Sequence, residues 1–515
     1  MTAAVTDLKT LRSQGTWAAD WLTLGRVYAL GLLFWLATRW LVLVHQGAWP
    51  WMNAFVVAAA RGIVVGDWNE AVRPQLPDLL GVPLVVIGAT EQQAIAILYL
   101  LASLVQFGAF VVLIRALFPR RLHEQTLAML IFLLVPYDHS IHHYRDIPVV
   151  LASSAIFLLS AHFVTVLARS RTRTGPTNPH RHPESSDGGV TRASHEPESI
   201  ARGVARASHE PESIARGVAR ASHEPESIAR GVTRASHEPE SVTPPSRGRH
   251  ATGPLWGISA LELPWLCGAM LLGIWSRFEV LTFVGVLVVL ALIIWRARVL
   301  PLVASYVAAA LVVTASLLGV YRLEGVDPSE AWFYTAHTFL DSTPDSWLTP
   351  ECQAAPTENC READGLAYFG PADLHAGIVP LVLNRPLTTV AKTIRSAWDN
   401  LWVLFGPNLS TFPGIVPFVI LVLAFAQPAR ALLKLMPAAV WVAVLAVLAE
   451  SVLPPLSWAP PHPQYHLQLV FPMVVLLVPL LLGLLRMPLG RLVAVAFLVG
   501  NAALSAFRYT RYPGY

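Results

Sequence analysis

A few charged side chains stand where chemistry is readily built. Asp67 and Glu70 lie three residues apart in AAARGIVVGDWNEAVRPQLPDLLGVPLVVIG, so one helical turn would put both carboxylates on one face. A positioned carboxylate can take a proton as a general base. Arg73 and Asp78 follow in the same segment. Asp146 stands at the end of PYDHSIHHYRD, just before an apolar run. Arg277, in GIWSRFEVL, carries a planar, permanently charged fork that suits a phosphate. His139, His142 and His143 fall at helical spacing beside Asp138 and Asp146, a ligand set that a divalent metal accepts. Plainer roles fit the same residues. Asp67 after Gly66 can cap a short helix, Glu70 can be a solvated loop charge, and Asp146 can cap the run that follows. Arg277 can simply snorkel its charge to a membrane interface, and loop histidines commonly hold no metal.

The elements that must position these groups are read from composition. Of 515 residues, 54% are hydrophobic and only 14% are charged, against roughly 25% charged in soluble domains. The mean hydropathy is +0.51. An ordinary soluble protein is therefore excluded, and three cysteines exclude a disulfide scaffold. The pI near 9.0 does not point to nucleic acid, because the arginines sit in short clusters between apolar runs. A membrane-spanning helix needs about 20 mainly apolar residues. About eleven such runs are present, near 27–46, 92–115, 124–137, 147–168, 258–275, 279–295, 299–320, 413–428, 435–453, 467–485 and 491–507. The expected fold is an all-α polytopic membrane bundle, with the first run an uncleaved anchor.

Basic clusters set the expected orientation. Arg115, Arg120 and Arg121 follow the second run, and Arg169, Arg171 and Arg173 the fourth. Arg296 and Arg298 follow the sixth, Arg430 and Lys434 the eighth, and Arg486 and Arg491 the tenth. Every second connection is thus basic, as cytoplasmic loops are. Lys9, Arg12 and Arg26 fall on that side, so the expectation is a multi-pass plasma-membrane protein with a cytoplasmic N-terminus and an external C-terminus. The other side carries Asp67, Glu70, Asp78, Asp138, Asp146, Glu279 and Glu450.

The expected organisation is an N-terminal membrane half, 1–168, with a first outer loop at 47–91. A cytoplasmic linker, 169–255, follows, then three membrane helices over 256–320, a long outer loop over 321–412, and C-terminal membrane helices over 413–515. The linker repeats a 14-residue unit beginning at Arg192, Arg206, Arg220 and Arg234. It is rich in Ser, Glu, Pro, Gly and Arg and too poor in apolar residues to offset the cost of ordering, which predicts disorder. In the long outer loop, Cys352 and Cys360 flank a Pro- and Asn-containing stretch; an oxidising outer compartment favours a disulfide over two free thiols. Residues 385–405 read as an interfacial helix, with Trp398, Leu401, Trp402 and Leu404 near an apolar face.

The outer-side motifs together resemble the GT-C superfamily of membrane glycosyltransferases, most closely the protein O-mannosyltransferase and aminoarabinose transferase group. Gly66-Asp67-Trp68, then Arg73-Pro74-Gln75-Leu76 and an apolar run ending at Gly88, resemble that group's first outer loop. His143-Tyr144-Arg145-Asp146-Ile147-Pro148 resembles its second acidic motif, lacking one intervening residue. Ser276-Arg277-Phe278-Glu279 resembles a later motif, and His462-Pro463-Gln464-Tyr465 with Pro472 resembles a late one. The resemblance covers roughly 25–168 and 257–508.

It implies an inverting transfer of a sugar from a polyprenyl-phosphate donor to a glycan, lipid or protein acceptor at the outer membrane face. Asp67, Glu70 and Asp146 would be the catalytic acids, and Arg277 with Arg73 would hold the donor phosphate. Membrane lipids are the implied surroundings, nucleic acid is not a partner, and no cofactor is required. A divalent metal, which some relatives use, would fall to His139, His143 and Asp146. Two departures stand out. The acidic pair that precedes G-D-W in the closest group is replaced by Trp49-Pro50-Trp51-Met52-Asn53, and Gln464 stands where an arginine is usual. The base then falls to Asp67 or Glu70, or else the chain keeps the fold as a non-catalytic assembly protein. A lipid-linked sugar flippase or transporter is the third class, although it would bring inverted repeats, which the two halves lack.

Overall fold

The computed structural model describes residues 17–46, 51–65, 76–119, 121–134, 147–173, 262–323, 328–354, 358–405, 418–419, 422–423, 427–457 and 468–511. Helices account for nearly all regular structure, and no strand occurs among the described residues. The 14-residue repeats lie outside them.

The N-terminal part runs through α1 (Trp17–Gln46), α2 (Trp51–Val65), α3 (Leu76–Val86), α4 (Glu91–Leu117), α5 (Leu122–Leu134) and α6 (Ile147–Arg173). The central part holds α7 (Glu262–Ile274), α8 (Val280–Trp295) and α9 (Leu300–Leu323). The C-terminal part holds α15 (Gln427–Lys434), α16 (Ala438–Ser457), α17 (Val470–Leu485) and α18 (Pro488–Arg511). The long connection over 328–405 is itself helical: α10 (Pro328–Asp341), α11 (Pro350–Ala354), α12 (Glu358–Phe369), α13 (Ile378–Asn384) and α14 (Pro386–Phe405).

Local signals explain several boundaries. Thr90 starts α4 with a capping box: its hydroxyl accepts from Gln93 N at 3.3 Å while the Gln93 side chain accepts from Thr90 N at 3.0 Å. Glu91 in the first turn and Arg115 in the last both suit the helix dipole. Arg296 ends α8 with φ at +53°, a left-handed conformation rare for a residue with a side chain. The chain breaks there and starts again as α9 after one 3-10 turn, Arg296–Val299.

Among the described residues, three stretches are long and apolar enough to cross a membrane: Glu91–Leu117, Ile147–Arg169 and Val280–Arg322. The last is 43 residues long. As one straight helix it would reach about 65 Å, twice a hydrocarbon core of about 30 Å; the break at Arg296 divides it into two helices. Seven shorter apolar helices accompany them, including Glu262–Ile274, Ala438–Ser451 and Val470–Leu485. Ile293, Leu311 and Val312 are about two-thirds exposed. In water such surface is costly; against lipid it is not. These features point to a membrane protein.

The largest core cluster joins both halves of the chain, from Trp35 through Phe110, Phe132 and Phe157 to Phe283 and Phe471. Phe110 of α4 stacks on Phe132 of α5 with ring centroids 4.0 Å apart. Polar links tie the helices as well. Gln106 donates to the Ser153 hydroxyl at 3.0 Å, joining α4 to α6, and Tyr306 donates to Leu159 O at 2.9 Å, joining α9 to α6. Inside hydrocarbon such groups have few other partners, so they fix how the helices register.

Candidate functional site

The α7–α8 connection is a turn, Trp275–Glu279, and it brings two charges together. Arg277 Nε donates to Glu279 Oε2 at 3.1 Å and its terminal nitrogen donates to Oε1 at 2.6 Å, a two-pronged ion pair. About four-fifths of each side chain is buried. Burial works against the charged form of Glu279, but the Arg277 charge and its hydrogen bonds outweigh that, so the carboxyl titrates below its usual range. The turn is built locally: Ser276 N and Arg277 N both donate to Gly273 O, at 3.0 and 2.7 Å. A side chain at Gly273 has no room, because a Cβ there would lie 2.8 Å from Val280 and 2.9 Å from Ala155 of α6. The turn therefore sits hard against α6. Beside it, the buried Ser276 hydroxyl has no hydrogen-bond partner among the described residues.

Two other segments converge on this turn. Leu76 N, at the first residue of α3, donates to Trp275 O at 2.8 Å. Ile147, the first residue of α6, belongs to a buried cluster against which both Leu76 and Leu272 pack. The end of the first loop, the residue after Asp146 and the residues before Arg277 thus share one apolar cluster.

A second acid faces the same region. Glu450 of α16 is buried and accepts from the Gln468 side chain, which also donates to the Ser451 hydroxyl at 3.0 Å. Helix α16 packs on α8, and Glu450 lies within electrostatic range of both Glu279 and Arg277.

Of the sequence-predicted site residues, Arg277, Cys352 and Cys360 are described. Asp67, Glu70, Arg73, His139, His143 and Asp146 lie outside the described residues, as does the His462–Tyr465 stretch. Among the described residues no group of three or more His, Cys, Asp and Glu could hold a metal. Sequence reasoning treated Arg277 as a phosphate ligand and did not anticipate its pairing with Glu279. On a helix, residues two apart point in different directions; only the turn lets them meet. The pairing of Glu450 with Gln468 was also missed, although a lone acid in an apolar run is itself a signal.

Cys352 and Cys360 are joined by a disulfide, with Cα atoms 5.7 Å apart. It ties α11 to α12 in the helical unit over 328–405. That unit has its own small core of Ala336, Phe339, Leu340, Phe369 and Leu381. Lys392 of α14 is buried beneath it, its ammonium 2.7 Å from the Ser342 hydroxyl and 4.1 Å from the centre of the Phe339 ring. Desolvation lowers its pKa to about 7.

No family model, curated protein or solved structure matches this chain.

Proposed function

We propose that this chain is a GT-C-like membrane glycosyltransferase of about eleven spanning helices, with its N-terminus cytoplasmic and its C-terminus external. It moves a sugar from a polyprenyl-phosphate donor to an acceptor at the outer face, with inversion. The observation that supports this reading is the convergence at Trp275–Glu279. The hydrogen bond from Leu76 N to Trp275 O ties the end of the Asp67–Arg73 loop to the Arg277 turn, and the residue after Asp146 packs into the same cluster.

In this scheme Asp67 or Glu70 takes the proton of the acceptor hydroxyl as it attacks the sugar carbon. Phosphate departs on the opposite face, stabilised by fixed positive charge. Arg277 supplies that charge with Arg73, and Glu279 holds the guanidinium in place. Guanidinium has five N–H donors, and Glu279 accepts from two of them.

The test is transfer of labelled sugar from polyprenyl phosphate in isolated membranes. Asp67→Asn, Glu70→Gln, Asp146→Asn and Arg277→Ala are compared with wild type. Loss of the base is expected to cost about two to four orders of magnitude in rate. Transfer by wild type that all four variants match would place the site elsewhere.

A second reading draws on the sequence before the first-loop motif. The acidic pair expected there is replaced by Trp49-Pro50-Trp51-Met52-Asn53, which favours a non-catalytic assembly protein that keeps the bundle. On that reading wild type transfers no sugar, while Arg277→Ala still disturbs folding.

A further inference from the structure

The helical unit over 328–405 carries a hollow that the proposed transfer chemistry does not use. Its volume is about 330 Å³, and it is lined by Trp347, Leu348, Thr349, Asp364, Ala367 and Tyr368. We propose that this hollow binds one ring of a neutral carbohydrate.

The lining matches such a ring group by group. Trp347 and Tyr368 stack on one another, ring centroids 4.9 Å apart and planes 28° apart. Trp347 is propped from behind by the small core, with Phe369 at 6.5 Å, while Tyr368 is 44% exposed. An aromatic face carries partial negative charge that attracts the C–H face of a pyranose. Asp364 supplies the polar complement. Its Oδ2 accepts from Thr349 N at 2.7 Å and from the Thr349 hydroxyl at 3.0 Å, which fixes the carboxylate. Ionised carboxylate has about four acceptor sites, so capacity remains for a sugar hydroxyl.

Other ligand classes fit less well. Among the described residues no Arg, Lys or His lines the hollow, so a phosphate or carboxylate ligand would be repelled by Asp364 with no cation there to offset it. A purely apolar ligand would strip water from that carboxylate without replacing its hydrogen bonds. The volume falls at the small end of ligand sites, which suits a single ring.

The walls are held together covalently. Trp347–Thr349 leads into α11, and Asp364, Ala367 and Tyr368 stand on α12. The Cys352–Cys360 disulfide, spanning a separation of eight residues, links these two helices. Fixing the walls before the ligand arrives lowers the ordering cost of binding. The inference needs neither a donor nor Arg277, so it stands or falls apart from the transfer assay.

The test uses the full chain in lipid nanodiscs free of sugar-based detergent. Saturation-transfer NMR is recorded with methyl glycosides and disaccharides of glucose, mannose, galactose and arabinose. Wild type is expected to give a signal with at least one of them. Tyr368→Ala, at an exposed position that leaves the small core intact, is expected to weaken binding about tenfold, the equivalent of one aromatic contact. Asp364→Ala and the double Cys352→Ser/Cys360→Ser variant are expected to weaken it as well. Absence of signal from every sugar with wild type, or an undiminished signal in Tyr368→Ala, overturns the proposal. So does displacement of the sugar by choline, which would mark a cation site.

Discussion

The turn at Trp275–Glu279 and the helical unit over 328–405 each bury a positive side chain, by opposite means. Arg277 is met by a carboxylate in a two-pronged pair, within a turn clamped between tightly packed helices. Lys392 sits 1% exposed against a hydroxyl and an aromatic face. The first solution neutralises charge by pairing it. The second shifts the equilibrium toward the uncharged amine. Their frameworks differ in the same way. The turn inherits rigidity from a core that spans the chain. The smaller unit has five fully buried core residues and adds a disulfide, as small cores commonly must. A buried charge can therefore be tolerated with little core around it if it can lose its proton, an option arginine lacks.

The largest test of this contrast is pH. The folded pKa of Lys392, about 7, lies below its usual 10.5. Between these values the unfolded chain binds the extra proton, so stability rises with pH across the window and is lower below it. The contribution is on the order of 5 kcal/mol. Melting of wild type and Lys392→Met, compared at intervals from pH 7 to 10, should show a slope in wild type that the variant lacks. Parallel slopes would mean that Lys392 keeps its proton on folding.

Next in size is Arg277→Ala, which strands Glu279. Breaking a buried pair costs about 3–5 kcal/mol; the partial exposure here puts the expectation near the lower figure. The paired substitution Arg277→Met with Glu279→Leu should recover much of that loss, because no charge is left unpaired. Thermal melting in detergent reads both. Equal loss in the single and double variants would argue that packing, not pairing, holds the turn.

The smallest effect is expected at Gly273→Ala. The added methyl meets Val280 and Ala155 below 3.0 Å, and overpacking of this kind costs about 1–3 kcal/mol. Its signature is displacement of the turn, read as altered hydrogen exchange at Leu76 N, whose acceptor is Trp275 O. Unchanged exchange there would show that the first-loop helix and the turn are not coupled.

Much of the helical framework was legible. The runs read at 92–115, 147–168, 279–295 and 299–320 correspond to Glu91–Leu117, Ile147–Arg173, Val280–Trp295 and Leu300–Leu323. Long apolar stretches with charges at their ends leave few alternatives. The 321–412 segment was read as a loop with one interfacial helix, yet its described residues hold five α-helices. Its helices are short and of mixed composition, and their core residues come from positions as far apart as Ala336 and Leu381; no local period reveals such a core. Arg277 was singled out by type, but its partner depends on a turn. Asp67 and Glu70 of the first loop lie outside the described residues, so the site is legible here only from its edges.

Arg296 carries a different kind of consequence. Its backbone adopts φ +53° and ψ −136°, a region where only glycine is comfortable, and holding a side-chain residue in such a region costs of order 1–3 kcal/mol. A designer would write glycine at this position. The arginine instead gives the α8–α9 connection one of its two positive charges, the other being Arg298, and in the proposed orientation those charges keep the connection cytoplasmic. Arg296→Gly thus relaxes the finished hairpin while weakening the signal that sets its direction of insertion, so heat resistance and insertion fidelity would move in opposite directions at one codon.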